Sequence, residues 1–360
     1  FHALGVKTTI VNLEEDHILE SILKLSEEQF DAVLSFNCFI SSVKLSNGSY
    51  LQDYIQAPYY YFLLDHPMHH HIALKEKLHN FHALCVDNYF VEYIQNYYPH
   101  IRSVHTVLHG GCYQRSPVAY GKRNIDVLFT GTYKPCDKLL QLMQDSEEPA
   151  NQISIALAEE ILSHPALRQE EAFAKVLQKL GITLTNEQFS EWLHVVGNLV
   201  DHYIRGIYRN RLLETMAGQD YRVEVYGEGW EKCTIQADNI HFHPAVGFEE
   251  NLKLMTQSKI VINTYTGFKS GAHERVFSAM LSKALCLSER NDCLENLFSE
   301  NQEIIFFDYR HLENLNSILH HYLTNVKLAE QITECAYQTV VSQHTWNERA
   351  QEIVEIISHK

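Results

Sequence analysis

The chain has 360 residues, 45% of them hydrophobic and 21% charged, with a formal net charge of −16 from 29 Lys+Arg against 45 Asp+Glu. That length implies two domains, and that much apolar material can bury two cores, which argues against a disordered chain. The acidic balance argues against a general nucleic-acid binder and against purely electrostatic docking on anionic lipid, while leaving room for one local basic pocket.

In chain order, Phe1-His2-Ala3-Leu4-Gly5 reads as the last turn of a helix closed by a left-handed glycine. Val6 to Leu13 then reads as a strand, with Thr8–Leu13 its core. A Rossmann-like domain normally opens on a strand and then a helix, so the chain is expected to begin inside its first helix and to lack the usual first strand. Apolar runs at Ala32–Phe36, Tyr59–Leu64, Ala83–Val86 and Ser103–Leu108 predict further strands, with helical patterns between them such as Phe90–Tyr97. This alternation is the signature of βαβ units and a mostly parallel sheet. Tyr113–Lys122, carrying Pro117 and Gly121, reads as a linker.

A second series starts at Ile125–Phe129, a strand followed by Thr130-Gly131-Thr132. From about Asp137 to Ala217 helix follows helix, with helical spacing at Leu157–Leu162, Ala172–Leu180 and Phe189–Leu199. This predicts a helical insertion plus the first helix of the second domain. Strands resume at Arg222–Tyr226, Ile240–Phe242, Lys259–Asn263, Ala284–Ser288 and Glu303–Phe307, with helices at Glu249–Gln257 and Glu274–Leu281. The end is helical and closes on Trp346–Ile357, whose apolar face is expected to pack back on the N-terminal domain. The expected domains are 1–118, 119–340 with the insertion at about 137–205, and a closing helix over 341–360 that crosses back. Eight scattered cysteines without a CxxC pair, several of them in apolar runs, read as reduced thiols. With no stretch near the ~20 apolar residues of a membrane span and no visible signal peptide, a cytoplasmic location is expected.

The segment from Lys259 to Met280 carries the most chemistry. A buried strand ending at Asn263 runs into a loop with Gly267 and Gly271, and the loop into a helix. Ligands of open α/β sheets bind at the carboxyl ends of strands, where a helix N-terminus offers N–H groups to an anion. Arg275 stands in the first turn of that helix, where it opposes the dipole, so it points to an anionic ligand; the alternative is a surface arginine paired with Glu274 or another carboxylate. Gly131, Thr132 and Lys134 follow a strand and can border phosphates, and Gly227, Gly229 and Trp230 form a similar turn, whose glycines either admit a nucleotide or make a tight bend. In the first domain, Asp65 and His66 follow a strand and can serve as a general base, or as a helix cap. His69, His70 and His71 read as a solvated helix start rather than a metal site, because adjacent side chains diverge. His109-Gly110-Gly111 ends the domain, either contacting a ligand or turning the chain into the linker.

Between Ile125 and the C-terminus, apart from the insertion, the sequence resembles group 1 glycosyltransferases. The residues are Phe129-Thr130-Gly131, Tyr226-Gly227-Glu228-Gly229-Trp230, Ser258-Lys259-Ile260-Val261-Ile262-Asn263 and the Arg275-Val276-Phe277-Ser278-Ala279 helix start, the last closest to the spore-maturation-type branch. The resemblance implies two Rossmann-like domains facing across a cleft, the GT-B arrangement, an α/β fold with the insertion in the second domain. It implies a nucleotide diphosphate sugar bound by Gly131, Thr132, Lys134, Gly227, Gly229, Trp230, Val246, Asn263, Gly271, His273, Glu274 and Arg275. Val246 enters because His243–Gly247 resembles the family segment facing the nucleotide base. Asp65 and His66 would act in catalysis, and His109 and Gly110 would line the acceptor side of the cleft. Two family glutamates that contact the donor align with Ser270 and Ser278 and are absent, with Glu274 and His273 as candidate substitutes. The implied activity is a hexosyltransferase acting on a protein or glycan, with no cofactor. No Asp-x-Asp pair closes a strand as in metal-dependent single-domain glycosyltransferases, so no essential divalent ion is expected. A sugar-nucleotide epimerase of the same architecture, or a non-catalytic nucleotide-sugar-binding protein, would share these features.

Overall fold

The computed structural model describes the chain except residues 13–17, 39–40, 42, 113–117, 265–266 and 360. It forms two compact units. The N-terminal unit holds Phe1–Leu108, Leu184–His194 and Asn347–Lys360; the C-terminal unit holds His109–Thr183 and Val195–Trp346.

In the N-terminal unit, helix α1 (Ile18–Leu25) precedes a parallel sheet of order β1-β2-β3-β4, made of Val33–Phe36, Tyr59–Leu63, Phe81–Cys85 and Ser103–Thr106. Every residue of β2 is buried, which is why Tyr-Tyr-Tyr-Phe-Leu shows no polar alternation: a parallel strand with neighbours on both sides has both faces covered. The phenols of Tyr59 and Tyr61 are satisfied by Gln52, donating to its backbone carbonyl at 2.8 Å and to its side-chain oxygen at 2.6 Å. The chain leaves β2 through Asp65 and His66 into a 3-10 turn (Pro67–His70) and the short helix α2 (His71–Leu74). Helix α3 (Asn88–Tyr97) is capped by Asp87, which accepts from the Tyr89 N–H at 2.8 Å.

The strand expected over Thr8–Leu13 does not form: residues 8–12 lie in no strand, Ile10 is 91% exposed, and Leu13 lies outside the described residues. β-branched composition alone does not hold a strand that has no neighbour to pair with. The expected linker is a 3-10 turn over Tyr120–Lys122, and its 113–117 part lies outside the described residues.

The C-terminal unit is built on a six-stranded parallel sheet of order β10-β9-β8-β5-β6-β7. Its strands are β5 (Ile125–Thr130), β6 (Val223–Tyr226), β7 (Ile240–His243), β8 (Ser258–Asn263), β9 (Leu285–Glu289) and β10 (Ile305–Phe307). Because all are parallel, the loops after β5, β6, β7 and β8 leave from one edge. Helices α4 (Cys136–Gln144), α5 (Ala150–Ser163), α6 (Gln169–Lys179) and α7 (Asn186–Met216) separate β5 from β6. The expected end of the insertion near residue 205 falls inside α7, one uninterrupted helix of 31 residues. The remaining helices are α8 (Phe248–Gln257), α9 (Glu274–Leu281), α10 (Asp292–Leu297), α11 (Leu315–Thr324), α12 (Val326–Gln343) and α13 (Trp346–Ser358). The core under β5 and β6 joins Val127, Phe129, Val223 and Val225 to Leu212, Leu213 and Met216 of α7. Arg123 is buried beside it with its guanidinium fully engaged, donating to the carbonyls of Val118, Ser258 and Ser282 at 3.1, 2.7 and 2.9 Å. None of the eight cysteines is in a disulfide. Among the described residues no helix is long and apolar enough to cross a membrane.

Candidate functional site

The centre of the candidate site is Arg275. Its Nε donates to Thr130 Oγ1 at 3.0 Å and one terminal nitrogen to Asn263 Oδ1 at 3.1 Å, so it joins the carboxyl ends of β5 and β8, neighbouring strands at the middle of the sheet. Asn263 is itself fixed by donating to Ser288 Oγ at 3.0 Å. Both of these partners of Arg275 are neutral, and among the described residues no carboxylate is bonded to it. The expected alternative, a pair with Glu274, does not form: the Glu274 carboxylate accepts instead from the Ser278 hydroxyl one turn on. Burial lowers the Arg275 pKa and raises that of Glu274. His273 caps α9, its Nδ1 accepting from the Arg275 N–H at 3.0 Å. Its pKa is held well down by burial, then by Arg275, His109, Arg205 and Arg209.

Two of those neighbours, Arg205 and Arg209 on α7, are absent from the sequence reading. The Arg209 guanidinium donates to the Thr132 carbonyl. A Cβ built on Gly131 would lie 3.1 Å from its Nη2. Helix α7 reaches this loop because residue 206 is glycine: a Cβ there would meet Cys136 Sγ at 2.7 Å and the Lys134 carbonyl at 3.1 Å. Arg205 is paired with Asp201 at 2.7 Å. The Lys134 pKa is drawn down by partial burial and then by Arg205, which places a fourth cation in the group. The sequence signal was available, a glycine inside a long helix set between two arginines, but a helix interior does not advertise which strand end it will reach.

The loop after β6 packs on the loop after β5. Trp230 Nε1 donates to the Gly131 carbonyl at 2.7 Å, and its ring stacks on Tyr133 (4.8 Å) and Phe242 (5.4 Å). Trp230 is 2% exposed and supports the Gly131 loop from beneath. Gly227 and Gly229 are likewise explained by this packing: a Cβ on either would overlap the carbonyl oxygen of Gly131 or Tyr133, and Gly229 has φ 85°. Val246 stands half-buried in the loop after the edge strand β7, two strands from β5. Gly271 is tied down through its carbonyl, which accepts from Asn291 Nδ2 at 3.0 Å. Ser278, at one of the two family glutamate positions, is engaged on both sides, since it also accepts from the Cys112 N–H at 3.0 Å. Ser270 is half-buried in the loop before α9.

His109 is 7% exposed and lies 5.9 Å from the His273 ring, centroid to centroid, beside Phe268 and Trp346. Gly110 has a steric reason of its own, because a Cβ there would fall 2.6 Å from the Trp346 nitrogen.

In the N-terminal unit the two expected catalytic residues part company. His66 is 4% exposed, its ring set edge-on to Phe90 and Tyr93, both at 4.9 Å, and its Nδ1 accepts from the Met68 N–H at 3.1 Å. It is a buried helix cap, and its lone pair on Nδ1 is already used. Asp65, next to it at the end of β2, remains half-exposed. The histidine run is packed rather than solvated as expected: His71 Nδ1 is 2.9 Å from the Tyr98 hydroxyl and its ring stacks on His194 at 5.2 Å. Among the described residues no cluster of His, Cys, Asp and Glu can hold a metal ion.

Residues 209–355 match the family described as glycosyl transferase-like. The match covers less than half of the chain and contains β6 through β10, the loop before α9 and Arg275 itself. The resemblance to group 1 glycosyltransferases is borne out at that level; the matches do not speak to the spore-maturation-type branch. Among solved structures the chain is similar to TarM of S. aureus, with TM-score 0.52 and 9% identity over 94% of this chain and 58% of TarM. It is similar to HepE of Anabaena, solved with UDP-glucose, with TM-score 0.53 and 10% identity over 95% of this chain and 82% of HepE. It is also similar to an α-glucosyltransferase solved with UDP-glucose and DNA containing an abasic site, with TM-score 0.52 and 13% identity over 94% of this chain and 83% of that one. At such identities the likeness establishes the fold, which is α/β with two Rossmann-like units of the GT-B class. No curated protein matches the chain in sequence.

Proposed function

We propose that the chain is a glycosyltransferase that binds a nucleotide diphosphate sugar in its C-terminal unit and moves the hexosyl group to a protein or glycan acceptor. The observation that carries this reading is Arg275, a cation at the carboxyl ends of β5 and β8 whose side-chain bonds among the described residues go to neutral oxygens. A diphosphate leaving group gains charge as the glycosidic bond breaks, and a fixed guanidinium stabilises that charge with two parallel hydrogen bonds. In this reading Arg275 supplies the counter-charge that a divalent ion would otherwise give, and Lys134 adds to it. Asn263 and Thr130 hold the guanidinium in place, and the Gly131 loop, propped by Trp230 and tied to the loop after β6 through the Gly131 and Tyr133 N–H groups, borders the phosphates. If transfer inverts configuration, Asp65 takes the acceptor proton; His66 does not, because its Nδ1 is committed to the cap.

UDP is the first nucleotide to test, since HepE and the α-glucosyltransferase were both solved with UDP-glucose. Calorimetric titration of UDP and GDP into the protein, then assay of nucleotide release from the sugar of the tighter one, checks the reading. Binding of neither nucleotide overturns it. Donor alone yielding an epimer would make it an epimerase. Nucleotide binding without release on any acceptor would make it a non-catalytic binder, the reading to which the engagement of Ser278 by Glu274 and Cys112 lends itself.

A further inference from the structure

We propose that Arg209, assisted by Arg205, is a second anion-binding residue of the same site, reaching the donor diphosphate from α7. This rests on the donor-site reading above and adds an element that reading does not use. Two ways of burying an arginine stand side by side in the C-terminal unit. Arg123 is the structural kind, with donors on three backbone carbonyls. Arg209 is held less completely: one terminal nitrogen donates to the Thr132 carbonyl, but its Nε is buried with no hydrogen-bond partner, and among the described residues no carboxylate is bonded to it. Its near neighbours are cations, and burial followed by the charges of Arg205 and Arg275 pulls its pKa down to about 10. The carboxylates near these cations are already engaged: Asp201 is bound to Arg205, and Glu274, beside Arg275, accepts from the Ser278 hydroxyl. Like charges gathered in a partly dry place repel, and a bound anion would relieve that repulsion.

The approach is built into the helix. Gly206 is unfavourable in a helix interior, and its reason here is contact: only without a Cβ does α7 lie against Cys136 and the Lys134 carbonyl. That contact sets Arg205 and Arg209, one turn apart, over the loop that follows β5. The ligand chemistry is a dianionic group with several oxygens in fork geometry, a diphosphate, which guanidinium groups grip and ammonium groups match less well.

The experiment titrates UDP, and separately inorganic pyrophosphate, into wild type, Arg209→Gln, Arg209→Lys and Arg275→Ala, with melting temperatures taken with and without ligand. Arg209→Gln should weaken both ligands about tenfold, since a charge-assisted bond is lost. Its ligand-free melting temperature should stay level or rise, because repulsion with Arg205 and Arg275 is relieved; a purely structural arginine would lower it. Arg209→Lys should recover part of the affinity and serves as the charge-preserving variant if Arg209→Gln does not fold. UDP affinity within about twofold of wild type in a folded Arg209 variant overturns the proposal. If Arg275→Ala then still loses UDP, the donor-site reading stands without Arg209; if neither variant changes affinity, the reading falls with it.

Discussion

At the end of β2 in the N-terminal unit, basic side chains are packed among aromatic and histidine rings. His66 caps a turn through Nδ1, His71 meets Tyr98, and the burial of His70 and His71 pushes each pKa down to about 4. At the ends of β5 and β8 in the C-terminal unit, the basic side chains are Arg275, Arg209 and Arg205, which cannot shed their protons. An imidazole placed in a dry site resolves the conflict itself by becoming neutral. A guanidinium keeps its charge and needs partners: Arg123 finds three backbone carbonyls, Arg275 two neutral side-chain oxygens. In the reading proposed above, a bound anion completes the second arrangement.

The sharpest way to break this contrast is Arg275→Ala. Hydrogen bonds to charged groups contribute roughly 1.5–3 kcal/mol, so nucleotide diphosphate affinity should fall about ten- to a hundredfold by calorimetry. Arg275→Lys should recover only part, since an ammonium cannot form two parallel bonds. Unchanged affinity in the folded alanine variant would show that the cation is structural and the contrast false. Next in size is Gly229→Ala. The left-handed backbone at φ 85° costs an alanine about 1–2 kcal/mol, and the new Cβ would overlap the Tyr133 carbonyl, so the total loss should reach at least about 2 kcal/mol. The melting temperature reads it. A variant as stable as wild type would mean that the loops after β5 and β6 are not packed as described.

The N-terminal unit gives a pH test of the same contrast. His70 faces Asp65, His69 and His66, and His71 faces His194, Lys75, Glu191 and Tyr98. Their folded pKa values lie below the ordinary 6.5, so the unfolded chain takes up protons first as pH falls. The stability they confer is full above about pH 6.5 and is lost on acidification toward pH 4, flattening below it. For His70 alone, linkage gives about 1.4 kcal/mol less stability at pH 5.5 than at pH 8, with His71 adding in the same direction. Thermal unfolding across that range checks it. His70→Asn and His71→Asn together should flatten the profile, and an unchanged slope in the double variant would assign the pH dependence to other groups.

What the sequence made legible follows the reach of each signal. β2, β5 and β8 announce themselves because a parallel strand covered on both faces is a continuous apolar run, and such runs are local. Arg275 was legible for the same reason: strand, glycine loop, helix start and cation lie within one short stretch. Arg205 and Arg209 were not, because their role depends on where the far end of a 31-residue helix meets a loop some seventy positions earlier. Trp230 was read as a donor contact because a glycine-flanked tryptophan looks the same whether its ring meets a base or, as here, props a neighbouring loop. The strand over Thr8–Leu13 failed on pairing, which composition does not encode. The end of the insertion was invisible because neither Gly197 nor Gly206 breaks α7.

The smallest expected effect is at His66, and it separates the two units most cleanly. Three facts bear on it: the ring is 4% exposed, it packs against Phe90 and Tyr93, and Nδ1 accepts the Met68 N–H. Asparagine is a good cap acceptor at such a position, so His66→Asn keeps the bond while discarding the ring. Stability should change by about 1 kcal/mol at most, from lost ring packing, and nucleotide affinity should not change at all. Turnover should hold as well, whereas Asp65→Asn should reduce it by the 10²–10⁴ typical of a lost general base. The paired assay on the two asparagine variants, with melting temperatures alongside, decides between neighbours. A large fall in turnover for a stable His66→Asn protein would return the base to the imidazole, and would mean that the N-terminal unit, too, keeps a basic group in reserve for a ligand.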